Sequence, residues 1–421
     1  MNYAVLGGGA LGLMAAYRLA QAGQTVIVFE REPIAGGLAS GFRVGDTWLE
    51  KFYHHIFRSD TMIINMIKEL GLGERLEWTR PRTVSLIDGQ LQQLDSPLTL
   101  LRFKPWRIDE RLRVAAVLAF LKVANPSWLE GKTANSWLRR WMGRPYELLF
   151  EPLFRGKFGN LYDQIALPWF WARLHDRTTQ LGYLRGGFQQ FYERLVERIT
   201  QLGGKVLLNT QVEQVEQIDG AWRIGTSQGT WSFERVISTL PTRLTCRLIL
   251  ALPDDYRARY DWGQAYGAHC LILALDRPLT ADSYWINICD RGYPFTALVE
   301  HTNYRPPSEY GGRHLVYLGN YRPMQDPLFQ KSDEEVMAEF LPSLTRIVPD
   351  FSPAWIKESW VFKAPYAQPI VTTEYREHIP PLHTPLANLW MANMFQVYPH
   401  DRGQNYSLAL ADKLVRQVVS Q

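Results

Sequence analysis

The chain has 421 residues, of which 46% are hydrophobic and 21% are charged, which is typical of a globular protein with two or three domains and no need for disulfide or metal staples. Its 46 Lys and Arg residues exceed its 42 Asp and Glu residues by four and form no long basic run, which argues against a nucleic-acid partner. Three cysteines without metal or redox spacing, no secretory signal and no run of about 20 apolar residues predict a cytoplasmic protein with reduced thiols.

The N-terminal residues predict one strand–helix–strand unit. Residues 3–6 form an apolar strand, the turn Gly7-x-Gly9-x-x-Gly12 opens a helix, and the next strand ends at Glu30. Gly7 permits the tight turn, Gly9 lets the backbone approach a pyrophosphate, and Gly12 lets helix and strand pack closely. The helix N-terminus offers N–H groups to phosphates, and Glu30 accepts hydrogen bonds from ribose hydroxyls. The unit therefore predicts a dinucleotide site.

The rest of the chain alternates between helical and β-rich stretches. Asp88-Gly89 is typical of a hairpin turn between two strands. The further predicted elements are a helix over 62–72, a hairpin over 83–94, a helical stretch over 97–180, strands over 205–208, 211–217, 222–225 and 235–239, alternating strands and turns over 266–320, a strand over 389–392 and a helix over 405–419.

A second glycine pair, Gly36-Gly37, follows shortly after Glu30, although a simple NAD-binding unit does not need one. Here the chain resembles the superfamily of flavin amine oxidases, protoporphyrinogen oxidases and phytoene desaturases. In that superfamily the acidic strand end is followed by Gly-Gly, and the chain runs close to the phosphates of FAD. Many members have Arg where this chain has Leu38, and Arg31 or Arg43 is a candidate to replace that contact.

The resemblance continues further along the chain. It implies a return to the FAD domain at residues 182–188, an adenine contact at Val212, a strand end beside the cofactor at Thr239, and a helix facing the flavin after Asn393, which replaces the usual acidic residue. A helix N-terminus there stabilises negative charge on the reduced flavin. The residues that the glycine turn and the resemblance assign to FAD are Gly7, Gly9, Ala10, Leu11, Gly12, Glu30, Arg31, Gly36, Gly37, Leu38, Ala39, Val212, Thr239, Asn393, Gly403, Asn405, Tyr406 and Ser407.

Four residues are candidates for chemistry beside the flavin. The resemblance brings the segment 41–57, with His54 and His55, close to the ring, where a histidine donates a hydrogen bond or exchanges a proton. Tyr398 and Arg402 precede the last helix and are candidates for the substrate pocket. The alternative for the histidines is a backbone hydrogen bond, and the alternative for Arg402 is an ordinary salt bridge.

We expect an α/β fold with a discontinuous Rossmann-like FAD-binding domain and a second, substrate domain that combines a mixed sheet with helices. The FAD-binding domain comprises residues 1–75, 185–245 and 359–421, and the substrate domain comprises residues 76–184 and 246–358. We expect the active site where the flavin ring meets the substrate domain.

The leading functional hypothesis is an FAD-dependent oxidoreductase that transfers hydride from a substrate C–H to flavin N5. The alternative is a non-redox sugar mutase, because His-Ile-Phe at 55–57 is similar to a segment of UDP-galactopyranose mutase. A third hypothesis is a protein that retains FAD without turnover. The expected partner is a small-molecule substrate, large and apolar or lipid-linked.

The apolar stretch 112–123 is flanked by arginines and lysine, with Trp106 and Trp128 nearby. A core helix of the substrate domain is one interpretation, and a helix lying on a membrane surface is the other.

Overall fold

The computed structural model describes residues 1–400 and 402–420. Its helices are α1 (Ala10–Gln21), α2 (Thr61–Glu69), α3 (Pro97–Leu101), α4 (Ile108–Val123), α5 (Ala134–Met142), α6 (Glu151–Phe158), α7 (Leu167–Asp176), α8 (Gln189–Gln201), α9 (Thr242–Leu248), α10 (Asp254–Tyr260), α11 (Asp333–Ile347) and α12 (Gln404–Val419). Within these described ranges, no helix is both long and apolar enough to cross a membrane.

The strands alternate with the helices along the chain. They are β1 (Asn2–Leu6), β2 (Thr25–Phe29), β3 (Gly41–Val44), β4 (Thr47–Glu50), β5 (Ile56–Phe57), β6 (Leu76–Thr79), β7 (Arg82–Ile87), β8 (Gln90–Gln93), β9 (Leu181–Leu184), β10 (Lys205–Leu207), β11 (Val212–Ile218), β12 (Ala221–Thr226), β13 (Gly229–Phe233), β14 (Arg235–Ser238), β15 (Ala265–Leu275), β16 (Ser283–Ile288), β17 (Ala297–Glu300), β18 (His314–Arg322), β19 (Ile356–Pro369) and β20 (Leu389–Met391).

A parallel five-stranded sheet forms the dinucleotide half, in the order β10-β2-β1-β14-β20. Its inner strands β1, β2 and β14 are mostly apolar because both faces of the sheet are covered. In β1, Tyr3 and Val5 face the core that contains α1, α8 and α12, whereas Ala4 and Leu6 face the antiparallel sheet β11-β12-β13. The predicted α/β class with a Rossmann-like domain is confirmed.

A mixed seven-stranded sheet forms the other half, in the order β19-β15-β18-β17-β16-β7-β8. Only β16 and β7 run parallel. Leu271 and Leu273 of β15 pack with α11, and the alternate residues Cys270 and Ile272 face the core shared with the dinucleotide half. The predicted hairpin is confirmed, since β7 and β8 pair around Asp88 and Gly89, both with positive φ.

The helices α3 to α7 form a separate cluster with its own core. Trp106, Val114, Leu138 and Phe158 are among its buried side chains. This cluster borders the seven-stranded sheet, and α7 leads through β9 back toward the dinucleotide half.

The buried carboxyl group of Glu50 joins the hairpin β3-β4 to its surroundings. The Tyr183 hydroxyl donates to Glu50 Oε2 at 2.7 Å, and the Phe188 N–H donates to Oε1 at 2.7 Å. The Tyr317 hydroxyl donates to the Glu50 carbonyl at 2.8 Å. Burial raises the pKa of Glu50 from 4.5 to about 7, although the hydrogen bonds from Phe188 and Tyr183 lower it.

Glu50→Gln should flatten the pH dependence of stability. Between pH 4.5 and about 7 the folded state keeps a proton at Glu50 that the unfolded chain has released, so the free energy of unfolding falls as the pH rises through this window. The displacement of the pKa corresponds to about 3 kcal/mol. Urea unfolding at the two ends of the window measures the effect.

The matched control for this experiment is Glu193→Gln, which changes an exposed carboxyl on α8. We expect the control to keep the wild-type pH slope. Identical slopes for the wild type and Glu50→Gln would show that the buried carboxyl is not the titrating group.

Candidate cofactor-binding and active site

The turn between β1 and α1 requires glycine at both ends. Gly7 has φ +102°, and a Cβ on Gly12 would lie 1.9 Å from the Gly7 carbonyl oxygen. The Gly7 N–H donates to the Phe29 carbonyl at 2.9 Å, and the Thr239 hydroxyl donates to the Leu6 carbonyl at 2.8 Å. The turn is therefore held by the two strands that flank β1.

The middle of the turn is open toward a ligand. A Cβ on Gly9 would find only the Gly37 Cα, at 3.9 Å. Gly9 precedes α1 and has no side chain with which to cap it, so the N–H groups of Ala10, Leu11 and Gly12 remain for an anion. By contrast, side chains of Ser96, Thr133 and Ser332 cap α3, α5 and α11.

The second glycine pair docks against the first turn. The Gly36 N–H donates to the Gly8 carbonyl at 2.9 Å, and Gly36 has φ +121°. A Cβ there would lie 2.9 Å from the Tyr192 ring. A short helical turn over Gly37–Ala39, which includes Leu38, follows directly. Two glycine segments thus border the space in front of α1, and this arrangement fits a pyrophosphate.

Glu30 lies at the end of β2, and its carboxylate is nearly buried. It accepts hydrogen bonds from the Gly8 N–H at 2.7 Å and from the Glu32 N–H at 2.9 Å. A carboxylate has about four lone pairs, so acceptor capacity remains for ribose hydroxyls. Arg31 forms an ion pair with Glu32, whereas Arg43 donates to the Asp46 carbonyl within its own hairpin.

Asn393 links the ends of β14 and β20. Its side-chain amide donates to the Leu240 carbonyl at 3.0 Å and to the Thr242 hydroxyl at 3.1 Å. A carboxylate cannot donate to a carbonyl, which gives a physical reason for Asn where the resemblance implies an acidic residue.

Val212 lies at the start of β11, opposite Thr226.

The start of α12 fastens neighbouring elements with its side chains. Asn405 Oδ1 accepts from the N–H groups of Met62 and Ile63 at 2.9 and 3.2 Å, and so caps α2. The Tyr406 hydroxyl donates to Asp176 Oδ2 at 2.6 Å. Gly403 supplies no capping side chain to α12, and Ser407 closes the first turn through its backbone N–H. The N-terminus of α12 thus resembles that of α1.

His54 and His55 are half-buried and uncharged. Burial, and then Arg402, lower the pKa of His54 to about 4, although its hydrogen bond to a backbone carbonyl raises it. Burial, and then Arg177, lower the pKa of His55 to about 3. His54 Nδ1 lies 2.5 Å from the Phe52 carbonyl oxygen, so Nδ1 carries the proton and Nε2 is an acceptor. Both rings suit hydrogen bonding better than proton transfer at neutral pH.

The structure brings Arg402 close to His54, whereas Tyr398 points toward the helical cluster. Arg402 donates to the Ala367 carbonyl and to the Tyr321 hydroxyl. The Tyr398 hydroxyl donates to Glu130 at 2.8 Å, and its ring stacks with Tyr375. Tyr398 therefore contacts the helical cluster.

His400 and Tyr366 lie at other points around this region. His400 Nδ1 lies 2.7 Å from Asp176 Oδ2, and its ring stacks on Tyr406 at 4.3 Å. Tyr366 has φ +53° and borders a separate cavity beside Trp262 and Phe395.

Several residues of this region were not predicted from the sequence. They are Tyr321, whose hydroxyl accepts from Arg402, Tyr284, which contacts His55 Nδ1 at 3.2 Å, and the pair Arg173 and Arg177, which lower the pKa of His55. Two arginines four residues apart at a helix end were visible in the sequence. Nothing in the sequence linked that helix to the histidines.

Comparisons with known proteins agree with this geometry. The model of the family "flavin containing amine oxidoreductase" matches residues 12–400. The 15-cis-phytoene desaturase of Synechococcus elongatus is 23% identical over 464 aligned residues, which cover 100% of this chain and 96% of that protein.

Two solved structures share the fold. An oxidoreductase from Methanosarcina mazei has a TM-score of 0.76 at 20% identity, with 100% of both chains covered. Reduced UDP-galactopyranose mutase has a TM-score of 0.77 at 14% identity and covers 100% of this chain and 95% of its own.

Gly9→Val should abolish flavin retention and leave the fold intact. Gly9 has φ −74°, which any residue adopts, and the nearest atom to an added Cβ is 3.9 Å away, so the added side chain projects into the space in front of α1. The ratio of visible flavin absorbance to protein absorbance measures retention, and circular dichroism measures the fold. Gly12→Ala should instead disrupt the turn itself.

Ala22→Val, in the exposed position at the other end of α1, is the matched control and should keep its flavin. A Gly9→Val protein with wild-type flavin content would show that the phosphates bind elsewhere.

Proposed function

This chain belongs to the flavin-containing amine oxidoreductase family and is an FAD-dependent oxidoreductase, and from this premise we propose that its substrate is a large, apolar, unsaturated molecule that is oxidised at a C–H bond. FAD, when bound, supplies the hydride acceptor at N5. The glycine turns and Glu30 hold the cofactor, and the remaining residues set the environment of the reacting atoms. The phytoene desaturase that aligns over the full chain supports this substrate class.

The observation that carries the proposal is the aromatic, uncharged lining of the histidine pair. Both imidazole rings are neutral, and the rings of Phe57, Tyr284 and Trp285 pack against His55 at centroid distances of 5.2, 6.3 and 6.1 Å. Such a lining offers an apolar surface to a neutral, unsaturated substrate. The Arg402 guanidinium adds a positive charge that favours the negative charge of a two-electron-reduced site.

The side chains around Arg402 orient the substrate and exclude water. Tyr53 lies beside Tyr321 and packs edge-on against Trp285 at 4.8 Å. Gly319 allows this approach, since a Cβ there would lie 2.8 Å from the Tyr53 ring. An aromatic wall of this kind favours a substrate with an apolar, unsaturated surface.

The arginines also favour a second candidate, a flavin-dependent mutase that acts on a sugar diphosphate. Guanidinium groups bind diphosphates well. The mutase-like fold is compatible with it. In this second candidate the flavin must be reduced before the substrate binds.

Anaerobic mixing of the FAD-loaded protein with three probes separates these functions. We expect 15-cis-phytoene in detergent micelles to bleach the oxidised flavin and putrescine to leave it unchanged. UDP-galactopyranose should turn over only with pre-reduced protein if the mutase is correct. Bleaching by putrescine but not by phytoene would overturn the proposed substrate class.

Arg402→Met should slow flavin reduction by the substrate roughly tenfold or more, because one preorganised charge beside the site is lost. Stopped-flow absorbance under anaerobic conditions measures the rate, and Arg402→Lys should restore part of it. Arg416→Met, an exposed arginine of α12 paired with Asp412, is the control and should react as the wild type does. An unchanged rate of flavin reduction in Arg402→Met would show that the charge of Arg402 does not contribute to the reaction.

A further inference from the structure

The helix α4 presents apolar side chains on two opposite faces. Val114, Val117 and Leu121 point into the helical core and are buried. The residues on the opposite face recur at intervals of three and four positions, so they form one stripe along the helix. This outward stripe consists of Ile108, Leu112, Ala116, Ala119, Phe120 and Val123.

The stripe is open to solvent and not merely half-covered. Ile108 is 71% exposed, Leu112 is 58% exposed and Val123 is 82% exposed. Exposed large apolar side chains in a contiguous patch mark an interaction surface. One face of α4 is therefore core, as the first interpretation of 112–123 predicts, and the opposite face is exposed.

The apolar surface continues onto neighbouring elements. Phe120 stacks with Trp137 of α5 at 6.1 Å, and Trp137 lies 6.2 Å from Trp141. Trp128, just after α4, and Trp141 are both largely exposed. We call the α4 stripe together with Trp128, Trp137 and Trp141 the outer face.

The segment that carries the outer face holds the chain's excess of positive charge. Residues 97–144 contain ten Lys and Arg residues and three Asp and Glu residues, whereas the rest of the chain has 36 basic and 39 acidic residues. Arg113 borders the stripe on α4 itself, and the Arg140 guanidinium lies 5.8 Å from the Trp141 ring.

We propose that the outer face docks on the surface of a lipid bilayer that contains anionic lipids. Apolar side chains enter the boundary of the acyl region, tryptophans lie at the headgroup level, and the basic residues meet the lipid phosphates. A second copy of this chain fits less well, because a symmetric contact would oppose two strongly positive segments. This inference does not depend on the substrate.

Vesicle flotation of the FAD-loaded protein tests the proposal. We expect binding to vesicles of phosphatidylcholine with phosphatidylglycerol, and much weaker binding to phosphatidylcholine alone. The triple variant Ile108→Ser, Leu112→Ser and Val123→Ser should lose binding roughly tenfold or more, because three exposed apolar side chains no longer leave water. Lys122 stays unchanged, since its Nζ holds the Leu174 and His175 carbonyls of α7.

The matched control replaces three exposed apolar residues outside the outer face, Leu202, Ile218 and Leu250, with Ser and should bind as the wild type does. Brominated lipids should quench tryptophan fluorescence in the wild type, and this quenching should depend on Trp128 and Trp141. Equal flotation of the wild type and the outer-face variant would overturn the proposal. The proposal would also be overturned if the wild type formed a dimer and bound no vesicles, and the outer-face variant were a monomer.

Discussion

The geometry of the dinucleotide site depends on two hydrogen bonds made by the backbone of Gly8, one by its N–H group and one by its carbonyl oxygen. The Gly8 N–H donates to the Glu30 carboxylate, and the Gly8 carbonyl accepts from the Gly36 N–H. A Cβ at position 8 would lie 2.9 Å from the Glu30 Cβ. Because the first bond is to an ionised group, it is stronger than an ordinary backbone bond. Glu30 and the second glycine pair thus hold the backbone of Gly8 from both sides. This arrangement leaves Gly9 facing the open space in front of α1.

The N-terminus of α12, near the other end of the chain, is likewise left free of a side-chain cap. Side chains at the start of α12 are directed away from its own axis, since Asn405 caps α2 and Tyr406 binds Asp176 at the end of α7. His400 binds the same carboxylate. These contacts fasten the loop to the helical cluster and leave the backbone N–H groups of the first turn of α12 without a side-chain cap.

Local patterns could be predicted from the sequence, whereas non-local contacts could not. The β1–α1–β2 unit follows from short-range periodicity and turn chemistry, and so does the hairpin at Asp88. The cofactor contact of Asn405 stays a prediction, whereas the role of its side chain, which caps a helix more than 300 residues earlier in the chain, was not predicted. The arginines of α7 act on His55 only because the fold returns through β9. No spacing rule encodes such a meeting of distant segments.

The electrostatics of the histidine pair explain why this site needs little acid–base machinery. Burial lowers the pKa of both rings, so neither histidine carries a charge near neutral pH. The guanidinium of Arg402 supplies positive charge close to His54 without itself titrating in that range. Hydride transfer requires a suitable field and an oriented C–H bond more than a titrating base. A neutral His54, with Nε2 as an acceptor, contributes orientation without altering the charge.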